Sequence, residues 1–274
     1  MRVIQGINNV DSILKMYKAV ISGSEFKVRG ADIRNVHNLA VVLNPALPII
    51  TDFAPRKMNL AYAKREWLWY LGADPKDDSI CQHATAWAKL KQEDGTFYSN
   101  YGQYLFGEQH LGKPTQFEYI IRTLRDDIHS RRASMTLLKQ EHLFADNTDV
   151  VCTYAINFFV EGKHLNMTVM MRSNDVIWGF TNDAFCFWQL YLFVYQILLT
   201  HVPDLQMGSY THLANSMHVY DRHYMMIYEI LANPYCKPHV VPMPTAREAL
   251  GLVLNRGEGD VDAGPYTRWL KTFD

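Results

Sequence analysis

The chain has 274 residues and a mass of 31.7 kDa, long enough to bury a sizeable core. Apolar residues make up 48%, aromatic residues 13% and charged residues 20%, a balance that excludes disorder or a fibrous repeat as the main state. Lys plus Arg total 27 against 28 Asp plus Glu, so the net charge of −1 lacks the positive excess that grips a nucleic-acid backbone; no direct nucleic-acid partner is expected.

The cysteines Cys81, Cys152, Cys186 and Cys236 form no C-x-x-C pair, and a chain of this size needs no disulfide staples, so a reduced, cytoplasmic setting is expected. The N-terminal stretch has no apolar run ending at a small-residue cleavage site, so no secretory signal is expected. No linker, repeat or like-charge block divides the chain, which therefore reads as one domain over 1–274.

Val10, Ile13, Leu14, Tyr17, Val20 and Ile21 recur at helical spacing, and Gly23 closes that helix. A strand over 38–43 stops at Asn44-Pro45. Residues 60–71 read as a helix terminated by Gly72, and 85–112 as irregular, site-forming loop. Pro114 marks the start of an amphipathic helix carrying Phe117, Ile120, Ile121, Leu124 and Ile128. Three strands follow, over 133–138, 150–160 and 165–171. The charge-free run 184–200 is a little short for a membrane span and contains Gln189 and Gln196, so a buried core helix is expected and no membrane partner. A strand over 210–220 and a helix over 224–232, ended by Asn233-Pro234, complete the pattern. Helices mixed irregularly with strands give an α+β fold, a mixed sheet backed by helices. No G-x-G-x-x-G or P-loop motif is present.

Cys152 falls early in the strand VVCTYAINFFV, where a thiol is commonly an inert small hydrophobe. Arg172-Ser173-Asn174-Asp175 closes the next strand; if the two strands are neighbours, Arg172 lies near the sulfur and favours thiolate. By itself the tetrapeptide also reads as a polar strand end with a helix cap.

Taken together, Cys152, Arg172-Ser173-Asn174-Asp175-Val176, Gly179 and His218-Val219-Tyr220 resemble the thymidylate synthase superfamily, and Glu66 in its Trp/Leu/Tyr helix, Trp87, Tyr101-Gly102 and Ser130-Arg131-Arg132 match in the same order. The resemblance implies a thymidylate synthase-like domain, a sheet-to-sheet homodimer, a pyrimidine nucleoside monophosphate as substrate, 5,10-methylenetetrahydrofolate as co-substrate and no metal. Cys152 would add to pyrimidine C6 and so activate C5. Glu66, its neutral form favoured by burial, would organise water for proton transfers. Arg172 and Ser173 would bind phosphate with Arg131 and Arg132 from the partner subunit, and Arg29 would be a fourth cation, with Arg34 as its competitor. His218 and Tyr220, on one face of a strand, would hold the sugar 3′-hydroxyl, and Tyr101 would also contact the nucleotide. Asp175, Trp87 and Gly179 would face the folate.

The superfamily's uracil reader is an Asn four residues after the glycine matching Gly179; here that position is Asp183, preceded by Asn182. A carboxylate only accepts and so repels uracil O4, whereas a neutral carboxyl donates to cytosine N3 and accepts from N4–H₂. Asp183 is thus expected to select the base, as in the cytosine-specific hydroxymethylase branch, and also reads as an N-cap of the following helix. Val151-Cys152-Thr153, Met171 and the terminal Trp-Leu-Lys-Thr-Phe-Asp also depart from the synthase pattern. They favour an open site that hydrates the new methylene, hence 5-hydroxymethyl-dCMP as product. The alternatives are a thymidylate synthase, a dUMP hydroxymethylase, a cytosine-specific reductive methylase, or a non-catalytic nucleotide-binding protein.

Overall fold

The computed structural model describes residues 1–28, 30–107, 112–143, 149–258, 260 and 264–273. Strands far apart in sequence meet in one mixed sheet, in the order β1 (Arg2–Gln5), β3 (Ala31–Leu43), β8 (Gln206–Tyr220), β6 (His164–Met171), β5 (Thr153–Glu161) and β4 (Ser134–Thr136). A further strand, β2 (Ser24–Val28), pairs with the start of β3, and β7 (Asn174–Asp175) pairs with the end of β8. The β1–β3 and β6–β8 pairs are parallel; β3–β8, β5–β6 and β4–β5 are antiparallel.

Side-chain alternation sorts this sheet into two faces. Ile4, Val41, His212, Val169, Ile156 and Met135 stand in register across it, and all are buried. The neighbouring row, Val3, Ala40, Leu213, Met170, Ala155 and Thr136, points the other way, with Val3 56% exposed and Leu213, Met170 and Ala155 half-buried. Helices pack on the first face. The parallel β6–β8 pair needs a crossover, and α5 (Gly179–Leu199) supplies it, its middle so apolar on every side that nearly all of it is buried. No helix among the described residues is long and apolar enough to cross a membrane.

On α5 pack α2 (Leu60–Gly72), α4 (Gln116–Asp126), α7 (Ala246–Leu254) and α8 (Pro265–Lys271), while α1 (Asn9–Ile21) packs on β1 and β3 with α6 (Tyr224–Ala232) beside it, and the single turn α3 (Gly102–Leu105) lies against α2. Trp67 of α2 packs edge-on between Phe106 and Phe193, at 5.8 and 5.4 Å between ring centres. Lys64, on the same helix, is buried with its Nζ donating to the carbonyls of Trp269 and Thr272 at 2.7 and 2.9 Å, which fastens the end of α8 to α2.

Several boundaries differ from the sequence expectations. Gly72 is the last residue of α2, and Ala73 takes the left-handed cap at φ 54. The fourth helix starts after Thr115, whose side chain forms a capping box with Glu118, and it ends before Ile128. The strand expected from residue 38 begins at Ala31, and a left-handed Asn38 (φ 53) interrupts its pairing. Residues 150–152 precede β5 rather than belonging to it, because the Val150 and Val151 carbonyls accept from the Arg172 side chain instead of from a neighbouring strand. The long helix starts at Gly179, not residue 184, so Asp183 lies inside its second turn and is not its N-cap.

Gly102 marks the tightest contact beside the site. A Cβ there would stand 1.7 Å from the Tyr70 carbonyl oxygen, so only glycine lets α3 approach α2. Gly102→Ala should therefore destabilise the protein at or above the top of the usual overpacking range of about 1–3 kcal/mol. Urea unfolding reads this directly, and an unchanged midpoint would mean that the two helices are not locked together.

Candidate active site

A cavity of about 500 Å³ opens where α2, the start of α5 and the ends of β6, β7 and β8 converge, a size suited to a small organic ligand. Its lining brings together Cys152, Glu66, Asp183, Arg172, Ser173, Asp175, His218, Tyr220, Tyr101, Trp87 and Gly179, candidates drawn from distant parts of the chain. Arg131 and Arg132 are exposed on the turn before β4 and do not line the cavity of a single chain. Arg29 lies outside the described residues. Arg34, named beside it, does not line the cavity either, and its guanidinium is tied to Glu25 at 2.7 Å and to the Ile21 carbonyl and Tyr228 hydroxyl at 2.8 Å.

The segment bearing Cys152 is spliced to the end of β6. The Arg172 backbone N–H donates to the Cys152 carbonyl at 2.8 Å, while its Nε and Nη2 donate to the carbonyls of Val151 and Val150 at 3.1 and 2.5 Å. Arg172 thus fixes the chain on which the thiol is mounted, as the sequence expectation of neighbouring strands required. Beside it, Ser173 Oγ lies 3.5 Å from His218 Nδ1, and the His218 and Tyr220 rings meet edge-on at 5.2 Å. Asp175 accepts from the backbone N–H groups of Ile177 and Trp178 at 2.6 and 2.9 Å, shaping the turn into α5. The Asp175 carboxylate, not Asp183, therefore organises the entry to that helix.

Glu66 is buried on α2 and accepts from the Tyr70 hydroxyl at 3.2 Å through Oε1, while Oε2 has no hydrogen-bond partner among the described residues. Burial, aided by repulsion from Asp183, pushes its carboxyl up to about 8, against the opposing pull of the Tyr70 and Tyr62 hydroxyls. Burial also pushes Asp183 up to about 7, opposed by a hydrogen bond from Asn174 Nδ2 to Asp183 Oδ2 at 2.7 Å. Gly179 leaves space for that bond, since a Cβ there would lie 3.0 Å from the Asn174 nitrogen. Glu66, mainly protonated at pH 7, and Asp183, poised between its two forms there, can each donate as well as accept when neutral, which is the equipment for proton transfer and for reading a hydrogen-bonding ring edge.

Three contributors were missed from sequence. Tyr62 accepts from the Trp87 indole N–H at 2.8 Å and lies one turn before Glu66 on the same face of α2; its four-residue spacing to Glu66 and Glu66's to Tyr70 was the available signal. Asn174 was visible only as the variable position of a motif. Arg56 is buried beneath the turn into α5, donating to the Ile177 carbonyl at 2.9 Å and stacking 4.4 Å from the Trp178 ring. Its partners are remote in sequence, so no local pattern announced it. Among the described residues no group of three or more His, Cys, Asp or Glu is placed to hold a metal ion.

The sequence model described as "Thymidylate synthase" matches residues 28–249. The deoxycytidylate 5-hydroxymethyltransferase of Enterobacteria phage T4 is 29% identical over 184 residues, 62% of this chain and 71% of the phage protein. Thymidylate synthase 1 of Bacillus subtilis strain 168 is 28% identical over 218 residues, 74% of this chain and 75% of the relative. The solved structure of the thermostable thymidylate synthase A from Bacillus subtilis superposes with a TM-score of 0.71 at 21% identity, covering 93% of each chain, and so shares the fold.

The raised Glu66 carboxyl makes a stability prediction. The folded protein keeps this proton as pH rises from the ordinary glutamate value of 4.5 to about 8, whereas the unfolded chain releases it, so stability falls across that window. Glu66→Gln removes the loss and should gain on the wild type by about 2–4 kcal/mol between pH 5 and 8 in denaturant titrations. Parallel pH profiles for the two proteins would contradict the buried, neutral acid.

Proposed function

The chain belongs to the thymidylate synthase family, and on that footing we propose that it transfers the one-carbon unit of 5,10-methylenetetrahydrofolate to C5 of dCMP with addition of water, giving 5-hydroxymethyl-dCMP and tetrahydrofolate. The observation that carries this reading is Asp183 in the cavity wall, a carboxyl pushed up to about 7 by burial, whose neutral form, populated at neutral pH, can donate to cytosine N3 and accept from N4–H₂.

In this reading Cys152 Sγ bonds to C6 and electron density moves to C5. The folate supplies a methylene carbon, to which C5 bonds. Glu66, with a water on its unpartnered Oε2, takes part in removing the C5 proton as the carbon–nitrogen bond to the folate breaks. A second water adds its oxygen to the exocyclic carbon and gives up a proton, and elimination of the C6–sulfur bond restores Cys152 and the aromatic ring. One water is consumed, no hydride moves, and the folate leaves as tetrahydrofolate. The open cavity favours hydration over hydride transfer: among the described residues none after Tyr220 lines it, and residues 264–273 run instead along α2 and α7, fastened by Lys64.

Arg172 and Ser173 bind the phosphate, joined by Arg131 and Arg132 of a second copy and by Arg29; His218 and Tyr220 hold the sugar, Tyr101 packs beside the ring, and Asp175, Trp87 and Gly179 border the folate. The outward row through Ala40, Leu213, Met170 and Ala155 is apolar enough to stack on its equivalent in a homodimer. Residues 1–274 act as one catalytic domain, in the cytoplasm.

Mass spectrometry of the products formed from dCMP and methylenetetrahydrofolate should show 5-hydroxymethyl-dCMP and tetrahydrofolate, and Cys152→Ala should abolish turnover while retaining dCMP binding. Dihydrofolate as product would instead indicate reductive methylation. Asp183→Asn should move the preference from dCMP towards dUMP by at least about a hundredfold; competition between the two nucleotides measures it, and an unaltered preference would remove Asp183 from base selection.

A further inference from the structure

A neutral carboxyl has two tautomers, and they present opposite patterns to a pyrimidine edge. With the proton on one oxygen the pair matches the N3 acceptor and N4–H₂ donor of cytosine; with it on the other, the pair matches the N3–H donor and O4 acceptor of uracil. Neutrality of Asp183 therefore does not by itself distinguish the bases. Something must decide which oxygen carries the proton.

Asn174 is the group placed to do so. It sits on β7, is 4% exposed, and is held in register beside Met217 of β8. Its Nδ2 donates to Asp183 Oδ2 at 2.7 Å, and its Oδ1 is buried with no hydrogen-bond partner among the described residues. A donor facing Oδ2 makes that oxygen an acceptor and sends the proton to Oδ1. The missing Cβ of Gly179 lets the pair close, and the cavity gives the carboxyl access to a ligand.

We propose that Asn174 is a positioning residue for base recognition: by holding Asp183 Oδ2 as an acceptor it fixes one tautomer of that carboxyl, and so makes the site read one pyrimidine edge. The inference rests on Asp183 being the base reader. The groups facing Asp183 are Glu66, Tyr62 and Tyr70 from α2, Tyr101 ahead of α3, Tyr210 from β8 and Cys186 from α5 itself. Of these only Glu66 titrates near neutrality, with its carboxyl pushed up to about 8.

The test is calorimetric binding of dCMP and of dUMP, without folate, from pH 5.5 to 9 for wild type, Asn174→Ala, Asn174→Leu and Asp183→Asn, repeated in a Glu66→Gln background to remove the other titrating acid. Asn174→Leu keeps the heavy-atom count and branching of the side chain without its donor, Asn174→Ala removes it without overpacking, and circular dichroism establishes that each variant is folded. Loss of Asn174 should cut the dCMP-to-dUMP affinity ratio at least about tenfold. It should also move the pH at which dCMP binding is lost upward by at least about half a unit, because a hydrogen bond that favours the ionised carboxyl has gone. If Asp183→Asn abolishes the dCMP preference but both Asn174 variants keep the wild-type ratio and midpoint, the role of Asn174 is overturned and that of Asp183 stands. If Asp183→Asn leaves the preference intact, the reading of Asp183 fails first.

Discussion

Glu66 and Asp183 line one cavity, and a charge on Asp183 raises the cost of ionising Glu66. Removing a carboxylate from water is expensive, and a second negative charge nearby makes it more so. The chain holds both acids there at once, on facing helices, with tyrosine hydroxyls and one amide as their partners. That balance keeps protons available in a cleft where an ordinary carboxylate would have none to give. The proposed chemistry uses those protons, one for transfer at a carbon and one for recognising a ring edge.

The scaffold around this pair is built to keep it fixed. The two acids ride on α2 and α5, and α2 is wedged by the aromatic contacts of Trp67 and by the bare backbone of Gly102. The thiol stands on a segment whose carbonyls are taken by the Arg172 side chain, so the proposed nucleophile and the proposed phosphate ligand form one mechanical unit. Arg56 closes the opposite side by anchoring the turn into α5 from below and stacking against Trp178. Strain at any of these supports would be transmitted to groups that must sit within hydrogen-bond reach of a ligand.

Much of this was legible before the fold was seen, because the informative residues lie in short local patterns. Arg172-Ser173-Asn174-Asp175 and His218-Val219-Tyr220 come from adjoining strand ends, and β7 pairs directly with β8 at Asp175 and His218. Helix α1 followed from periodicity, α6 was expected up to its stop at Asn233-Pro234, and the apolar run of α5 was correctly read as core. What escaped notice depends on long-range pairing. Strand β1 is four residues long and three of them are exposed, so it has little burial signature of its own. The ends of α2 and α5 were misplaced because caps were expected at Gly72 and Asp183, whereas Ala73 adopts the left-handed turn and Asp175 organises the other terminus. The bond from Asn174 to Asp183 spans nine residues across a turn and could not be seen as a pattern at all.

The central claim of the proposed reading is that Asp183 titrates near neutrality, far above the ordinary carboxylate range, and is protonated when the nucleotide is bound. Carbon-13 NMR of aspartate-labelled protein, with the Asp183 resonance assigned by its absence in Asp183→Asn, measures this directly. The account predicts a carboxyl that titrates at about 7 in the free protein and stays protonated to higher pH with dCMP bound. An Asp183 carboxyl already ionised at pH 5, or one that loses its proton when dCMP binds, would contradict it.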